Sequence, residues 1–177
     1  MKRNYSIWLW TLALRCFFAS CKKEKEDTLP PATQIGAGTF GCKINGKVYI
    51  PKGSSGTGAP NPKVQYDVDL NGQPYLSIKT FQFPTTISSG IFVGFQFLQN
   101  TGMYSLKNSF SFLLGTPSTY DNCGSISNDP NTFSDGGGMV TRLDIPSRII
   151  SGTFDFKYKT LQCDTVFVTE GRFDIKF

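Results

Sequence analysis

The chain has no histidine among its 177 residues. That removes the usual general base, the usual partner of a serine or cysteine nucleophile, and the commonest zinc ligand. Tryptophan is nearly absent too: both copies, Trp8 and Trp10, fall in the first ten residues. No apolar run reaches the roughly 20 residues a transmembrane helix needs, because Arg15 interrupts the apolar segment that begins at Ile7. No segment carries a capped 3.6-residue apolar stripe, so no helix is expected. Charge of either sign is sparse, with 18 Lys+Arg against 13 Asp+Glu. These lysines and arginines imply no basic face of the kind nucleic acid requires, and no nucleic-acid partner is expected.

What is present begins with a leader. Lys2 and Arg3 precede the apolar run Ile7–Leu14, and Phe17-Phe18-Ala19-Ser20-Cys21 follows. Charged start, apolar middle and small residues before a cleavage point are the marks of a secretory signal. Small residues directly before a cysteine resemble the lipobox of bacterial lipoproteins, in which cleavage leaves the cysteine as the lipidated first residue. The resemblance implies a signal peptide over 1–20, lipidation of Cys21, and a membrane partner reached through that anchor. Each buried CH₂ of an acyl chain contributes about 0.8 kcal/mol, and more than one chain holds a protein stably. Removing Lys2, Arg3 and Arg15 with the leader leaves 15 basic against 13 acidic side chains, a net charge of +2.

The block Lys22-Lys23-Glu24-Lys25-Glu26-Asp27 is charged without an apolar face, and Thr28 to Thr33 is rich in Pro and Thr. Residues 21–38 therefore read as a lipidated cysteine followed by a flexible, solvated tether. Residues 39–177, roughly 140 in number, suit one domain.

That domain reads as β throughout. Short alternating runs are separated by Gly, Asn, Pro and Ser. Phe40, Cys42 and Ile44 share a face; so do Val64, Tyr66, Val68 and Leu70; so do Ile91, Val93, Phe95 and Phe97; so do Phe154, Phe156 and Tyr158. The expected fold is all-β: an antiparallel β-sandwich or flattened barrel of about nine or ten strands. Register follows from apolar matching, since a one-residue slip exchanges the faces of a strand. Turn glycines are expected at Gly46, Gly72 and Gly171. Bulged three-residue loops at Asn45-Gly46 and Asn71-Gly72 would set Cys42 opposite Val48 and Tyr66 opposite Leu76. A two-residue Glu170-Gly171 loop would pair Val168 with Phe173.

Motifs that suggest chemistry lack their essential parts. Gly41 to Lys47 has P-loop spacing, but Val48 stands where Ser or Thr must be, and the segment reads as a hairpin rather than as a loop entering a helix. Asp67 to Gly72 opens like a calcium loop, yet the twelfth position is Ile78 rather than a bidentate Glu. A carboxylate pair remains for a glycan-acting hydrolase, with Asp144, Asp155, Asp164, Glu170 and Asp174 as candidates. Nothing in their spacing singles out a pair, so each is expected as outward solubilising charge. The reading is no catalytic residue, no metal and no cofactor.

Of the cysteines left after the leader and Cys21, Cys42 sits on an apolar face as a small buried thiol. Cys123 and Cys163 read as loop residues in an oxidising compartment. If one disulfide forms, Cys123–Cys163 is favoured; three free thiols is the alternative. Two stretches are long for loops, Pro51–Pro62 and Gly115–Gly138. Long loops on a β scaffold are functional or mobile. The second is the candidate binding loop, through Tyr120, Asp121, Asp129, Phe133 and Asp135, residue types suited to glycan or peptide contacts.

Three C-terminal segments, Gly138-Met139-Val140-Thr141-Arg142-Leu143-Asp144, Ile150-Ser151-Gly152-Thr153-Phe154-Asp155-Phe156 and Val168-Thr169-Glu170-Gly171-Arg172-Phe173-Asp174-Ile175, together resemble a family of small Bacteroidetes-type lipoproteins of unknown function. Its members carry an SGTF strand and a closing GxFD hairpin, and Phe40–Tyr49 is similar to their first hairpin. The resemblance implies a β-rich domain of the bacterial cell envelope, on the periplasmic or outer face of the outer membrane. It implies no activity. The expectation is a noncatalytic binding or accessory module whose ligand is a glycan, a peptide or another envelope protein. The hydrolase and a structural or inhibitory partner are the alternatives.

Overall fold

The computed structural model describes residues 27–53, 58, 60–82, 89–106, 112–114, 133–160 and 163–177. Among them are ten strands and no helix: β1 (Thr39–Ile44), β2 (Lys47–Tyr49), β3 (Lys63–Val68), β4 (Pro74–Gln82), β5 (Ser89–Gln96), β6 (Gly102–Ser105), β7 (Phe112–Leu114), β8 (Phe133–Asp144), β9 (Ile149–Thr160) and β10 (Cys163–Lys176). They form a six-stranded sheet in the order β2-β1-β10-β9-β8-β6 and a four-stranded sheet in the order β3-β4-β5-β7. Every strand pair is antiparallel. The all-β sandwich expected from the alternation is the fold.

The core lies between the sheets. Phe40, Cys42 and Ile44 of β1, with Phe154, Phe156 and Tyr158 of β9, pack against Leu76 and Ile78 of β4 and Ile91, Val93 and Phe95 of β5. Phe40 stacks on Phe154 at 5.3 Å, and Phe95 meets Phe173 at 5.7 Å. Large rings need space, and glycine supplies it. A Cβ on Gly138 would come within 2.8 Å of the Phe95 ring, and one on Gly152 within 2.7 Å of the Phe173 ring. Gly136-Gly137-Gly138 therefore belongs to strand β8 and not to the long loop in which the sequence placed it.

The three expected turns have three outcomes. At Asn71-Gly72 the bulged register holds: Val68 pairs with Pro74, Tyr66 with Leu76 and Val64 with Ile78. Gly72 is left-handed (φ 76°), and Asp69 Oδ1 accepts the amides of Asn71 and Gln73 at 2.8 Å. At Asn45-Gly46 the bulge is corrected to a tight two-residue loop, with Ile44 opposite Lys47 and Cys42 opposite Tyr49. Asn45 and Gly46 are both left-handed (φ 48° and 81°), the geometry Asn-Gly favours in a hairpin. Tyr49, not Val48, then enters the core, where its hydroxyl reaches Thr80 Oγ1 at 3.1 Å.

Glu170-Gly171 is not a hairpin at all. β10 runs on through it as one strand of 14 residues. Val168 pairs with Phe156 and Gly171 with Phe154, so Thr169 and Glu170 together face Asp155 in a β-bulge. Apolar residues at 166 and 168, then at 173 and 175, demand a change of parity. A hairpin or one extra residue supplies it equally, and the extra residue is what occurs. Glu170, rather than Gly171, takes the left-handed backbone (φ 52°), and Gly171 instead gives room to the Phe154 ring, 2.5 Å from where a Cβ would stand.

Gly46→Val and Gly72→Val should each destabilise the protein by about 1–2 kcal/mol, because a β-branched side chain resists the left-handed backbone. Urea unfolding checks this, and neutral effects at both positions would contradict the turn geometry.

Candidate functional site

A sandwich has two outer faces, and here part of one is covered by the protein's own chain. Asp174, on the outer side of β10, is 1% exposed. Its carboxylate accepts hydrogen bonds from Thr33 Oγ1 (2.5 Å), Ser151 Oγ (2.7 Å) and the amides of Gly36 (2.7 Å), Ile35 (3.0 Å) and Ala37 (3.2 Å). Burial alone would raise this carboxyl; the donors outweigh it and hold it at about 2. Further along, Leu29 and Pro30 cover Gly41, the Pro30 carbonyl accepts Arg172 Nη1 (3.3 Å), the Gln34 carbonyl accepts Arg142 Nη1, and Asp27 pairs with Lys52 at 2.5 Å. Residues 27–38 are thus a strap across β1, β10, β9 and β8. The flexible-tether reading is corrected for this stretch, which carries too many fixed partners to be a spacer; residues 21–26 lie outside the described residues.

The other outer face, on the four-stranded sheet, holds an open groove of about 550 Å³. Register explains it. Three cross-strand rows point outward: Lys63, Lys79 and Phe92; Gln65, Ser77 and Gly94; Asp67, Tyr75 and Gln96. The middle row is small at Ser77 and empty at Gly94, and bulkier rows stand on either side. Gln65 Nε2 donates to the Tyr75 hydroxyl at 3.0 Å, fixing the ring at the groove wall. Lys79 Nζ lies 5.4 Å from the centre of the Phe92 ring. At the lip, Phe97 is 60% exposed with a left-handed backbone (φ 55°). Alternation placed Phe97 inside with Phe95. Instead β5 ends at Gln96, Leu98 takes the buried place with its amide on the Pro74 carbonyl (2.9 Å), and Phe97 is turned out. A bulky residue in that region costs on the order of 1–3 kcal/mol, and such strain gathers at functional sites.

The other expected site residues are dispersed. Cys21, Tyr120, Asp121, Cys123 and Asp129 lie outside the described residues, as do the side chains of Phe133, Cys163 and Asp164. Asp135 is on β8, 3.1 Å from Lys157. Cys42 is a free buried thiol whose pKa burial pushes up. Asp144 is held below the usual carboxylate range by Arg142 (2.6 Å) and then by the Ser147 amide. Glu170 pairs with Lys43 at 2.5 Å, and Asp155 is exposed on β9. Asp174, already holding five donors, is unsuited to serve as a general base. Among the described residues no cluster could hold a metal ion. The groove residues were missed because each looks ordinary alone. The only local signal was the Gly94 gap in a row of large residues.

Neither family models, curated proteins nor solved structures contain a match to the chain.

Asp174 has a testable pH signature. Its folded pKa is depressed from 3.8 to about 2, so its contribution is full above about pH 4 and is lost as pH falls to about 2. The gap in stability between wild type and Asp174→Asn should close by about 2 kcal/mol over that window. Urea unfolding of both proteins from pH 5 to pH 2 measures it, and a gap independent of pH would contradict the strap's anchoring role.

Proposed function

We propose that this protein is a lipid-anchored, noncatalytic binding module of the bacterial outer membrane, periplasmic or surface-facing, and that the groove on the four-stranded sheet is its binding face. The observation that carries the reading is the division of labour between the outer faces. One is partly covered by the strap, with Met103, Met139 and Phe167 left exposed beside it. The other carries a concave site with an oriented Tyr75, an exposed Phe97 and amide side chains. Concave sites of 300–1,000 Å³ with a few oriented polar groups are the ordinary form of a ligand site.

The leader supports the anchor, as does the resemblance of the SGTF and GxFD segments to envelope lipoproteins. Cys21 and the first strapped residue, Asp27, are separated only by Lys22–Glu26. Six Cα steps span about 20 Å at most. The strap therefore keeps the domain close to the bilayer, while the groove lies on the opposite face of the sandwich. The candidate ligands are a glycan, a peptide or another envelope protein.

Cys21→Ala should abolish palmitate labelling and detergent partitioning while leaving the unfolding midpoint unchanged. Unaltered partitioning would remove the anchor from this reading. On glycan and peptide arrays the detergent-solubilised full chain should capture a ligand, and Ser77→Trp, which fills the groove, should release it. Capture untouched by Ser77→Trp would move the site elsewhere.

A further inference from the structure

The groove's chemistry narrows the ligand class, and the narrowing rests on the groove being the binding face. Three of its seven polar lining side chains are amides: Gln65, Gln73 and Gln96. An amide offers an acceptor oxygen and two donor hydrogens a short distance apart, a match for adjacent hydroxyls, each of which donates and accepts. Its two charged groups are of opposite sign, and each has a contact within the protein. Asp69 accepts the Asn71 and Gln73 amides, and the Lys79 ammonium sits by the Phe92 ring. With no cluster of one sign facing the groove, charge complementarity favours a neutral occupant. A phosphate, sulfate or polyanion would meet the Lys79 ammonium only with the Asp69 carboxylate in the same lining.

The aromatic residues complete the specification. An aromatic face is electron-rich, so it attracts the polarised C–H groups on the flat side of a pyranose ring. The Gln65 bond fixes the tilt of Tyr75, and the left-handed backbone at Phe97 holds a second ring outward at the lip. The dip at Ser77 and Gly94 runs across the strands between flanking rows, open rather than a closed cup. We infer that the groove binds a neutral oligosaccharide, with Tyr75 as the stacking platform, Phe97 as a second platform at the lip, and Gln65 and Gln96 as hydroxyl-reading amides.

The test uses the full chain in detergent micelles and titration calorimetry. The probes are neutral hexasaccharides (β-1,4-glucan, α-1,4-glucan, β-1,4-mannan and the N-acetylglucosamine polymer), their sulfated counterparts, and apolar pentapeptides. At least one neutral hexasaccharide should bind, its sulfated form at least tenfold more weakly. Tyr75→Ala should weaken that binding tenfold or more and Ser77→Trp abolish it. Tyr75→Phe, which keeps the ring, should weaken it less than threefold, with unchanged melting confirming that each variant folds. If the groove takes only sulfated sugars or peptides, and Ser77→Trp still removes them, the saccharide class is wrong and the binding module stands. If nothing binds, or binding ignores Ser77→Trp, both readings are overturned.

Discussion

One buried carboxylate fixes how this domain meets its surroundings. Asp174 sits on the outer side of the central strand β10, where sheet geometry alone would leave it in water. It is buried because the strap lies over it, and the strap lies there because the carboxylate collects three backbone amides and two hydroxyls. Hydrogen bonds to an ionised acceptor are about twice as strong as neutral ones, enough here to reverse the penalty of burial. The consequence is asymmetric: part of one outer face is covered by the protein's own chain, while Gln65, Lys79 and Gln96 stand exposed on the other.

The same interaction gives meaning to residues that otherwise read only as motif. In Ser151-Gly152-Thr153-Phe154, Ser151 donates to Asp174, Gly152 gives way to the Phe173 ring, and Phe154 fills the core. In Gly171-Arg172-Phe173-Asp174, Gly171 gives way to the Phe154 ring, Arg172 holds the Pro30 carbonyl, and Phe173 and Asp174 face opposite sides of the sheet. The two segments are one device: neighbouring strands whose glycines admit each other's rings and whose polar residues clamp the strap. The bulge at Thr169-Glu170 sets its phase. Without the extra residue, Val166 and Val168 could not share the inner face with Phe173 and Ile175.

Local pattern carried the strands other than β6 and β7, the buried faces of β1, β4, β5 and β9, and the Gly72 register, because alternation and turn chemistry act over a few residues. It misjudged Asn45-Gly46, where two apolar candidates, Val48 and Tyr49, competed for one place and the cross-sheet bond to Thr80 favours Tyr49. Glu170-Gly171 was misjudged because a hairpin and a one-residue bulge impose the same parity. Phe97 was misplaced because alternation assumes the strand continues, and β5 stops at Gln96.

By itself, then, the sequence determined the class: an all-β sandwich with no helix among the described residues, and a chain without histidine and so without its usual acid–base and zinc chemistry. Tertiary structure decided the use of its surfaces. The donors that trap Asp174 lie 137 to 141 residues away from it along the chain, apart from Ser151 on the neighbouring strand. The groove is written in rows that cross three strands, with Gln65, Ser77 and Gly94 adjacent only once β3, β4 and β5 are paired. Alternation reports which side of a strand meets the core. What covers the other side depends on contacts between distant segments, and those exist only after the sheets have formed.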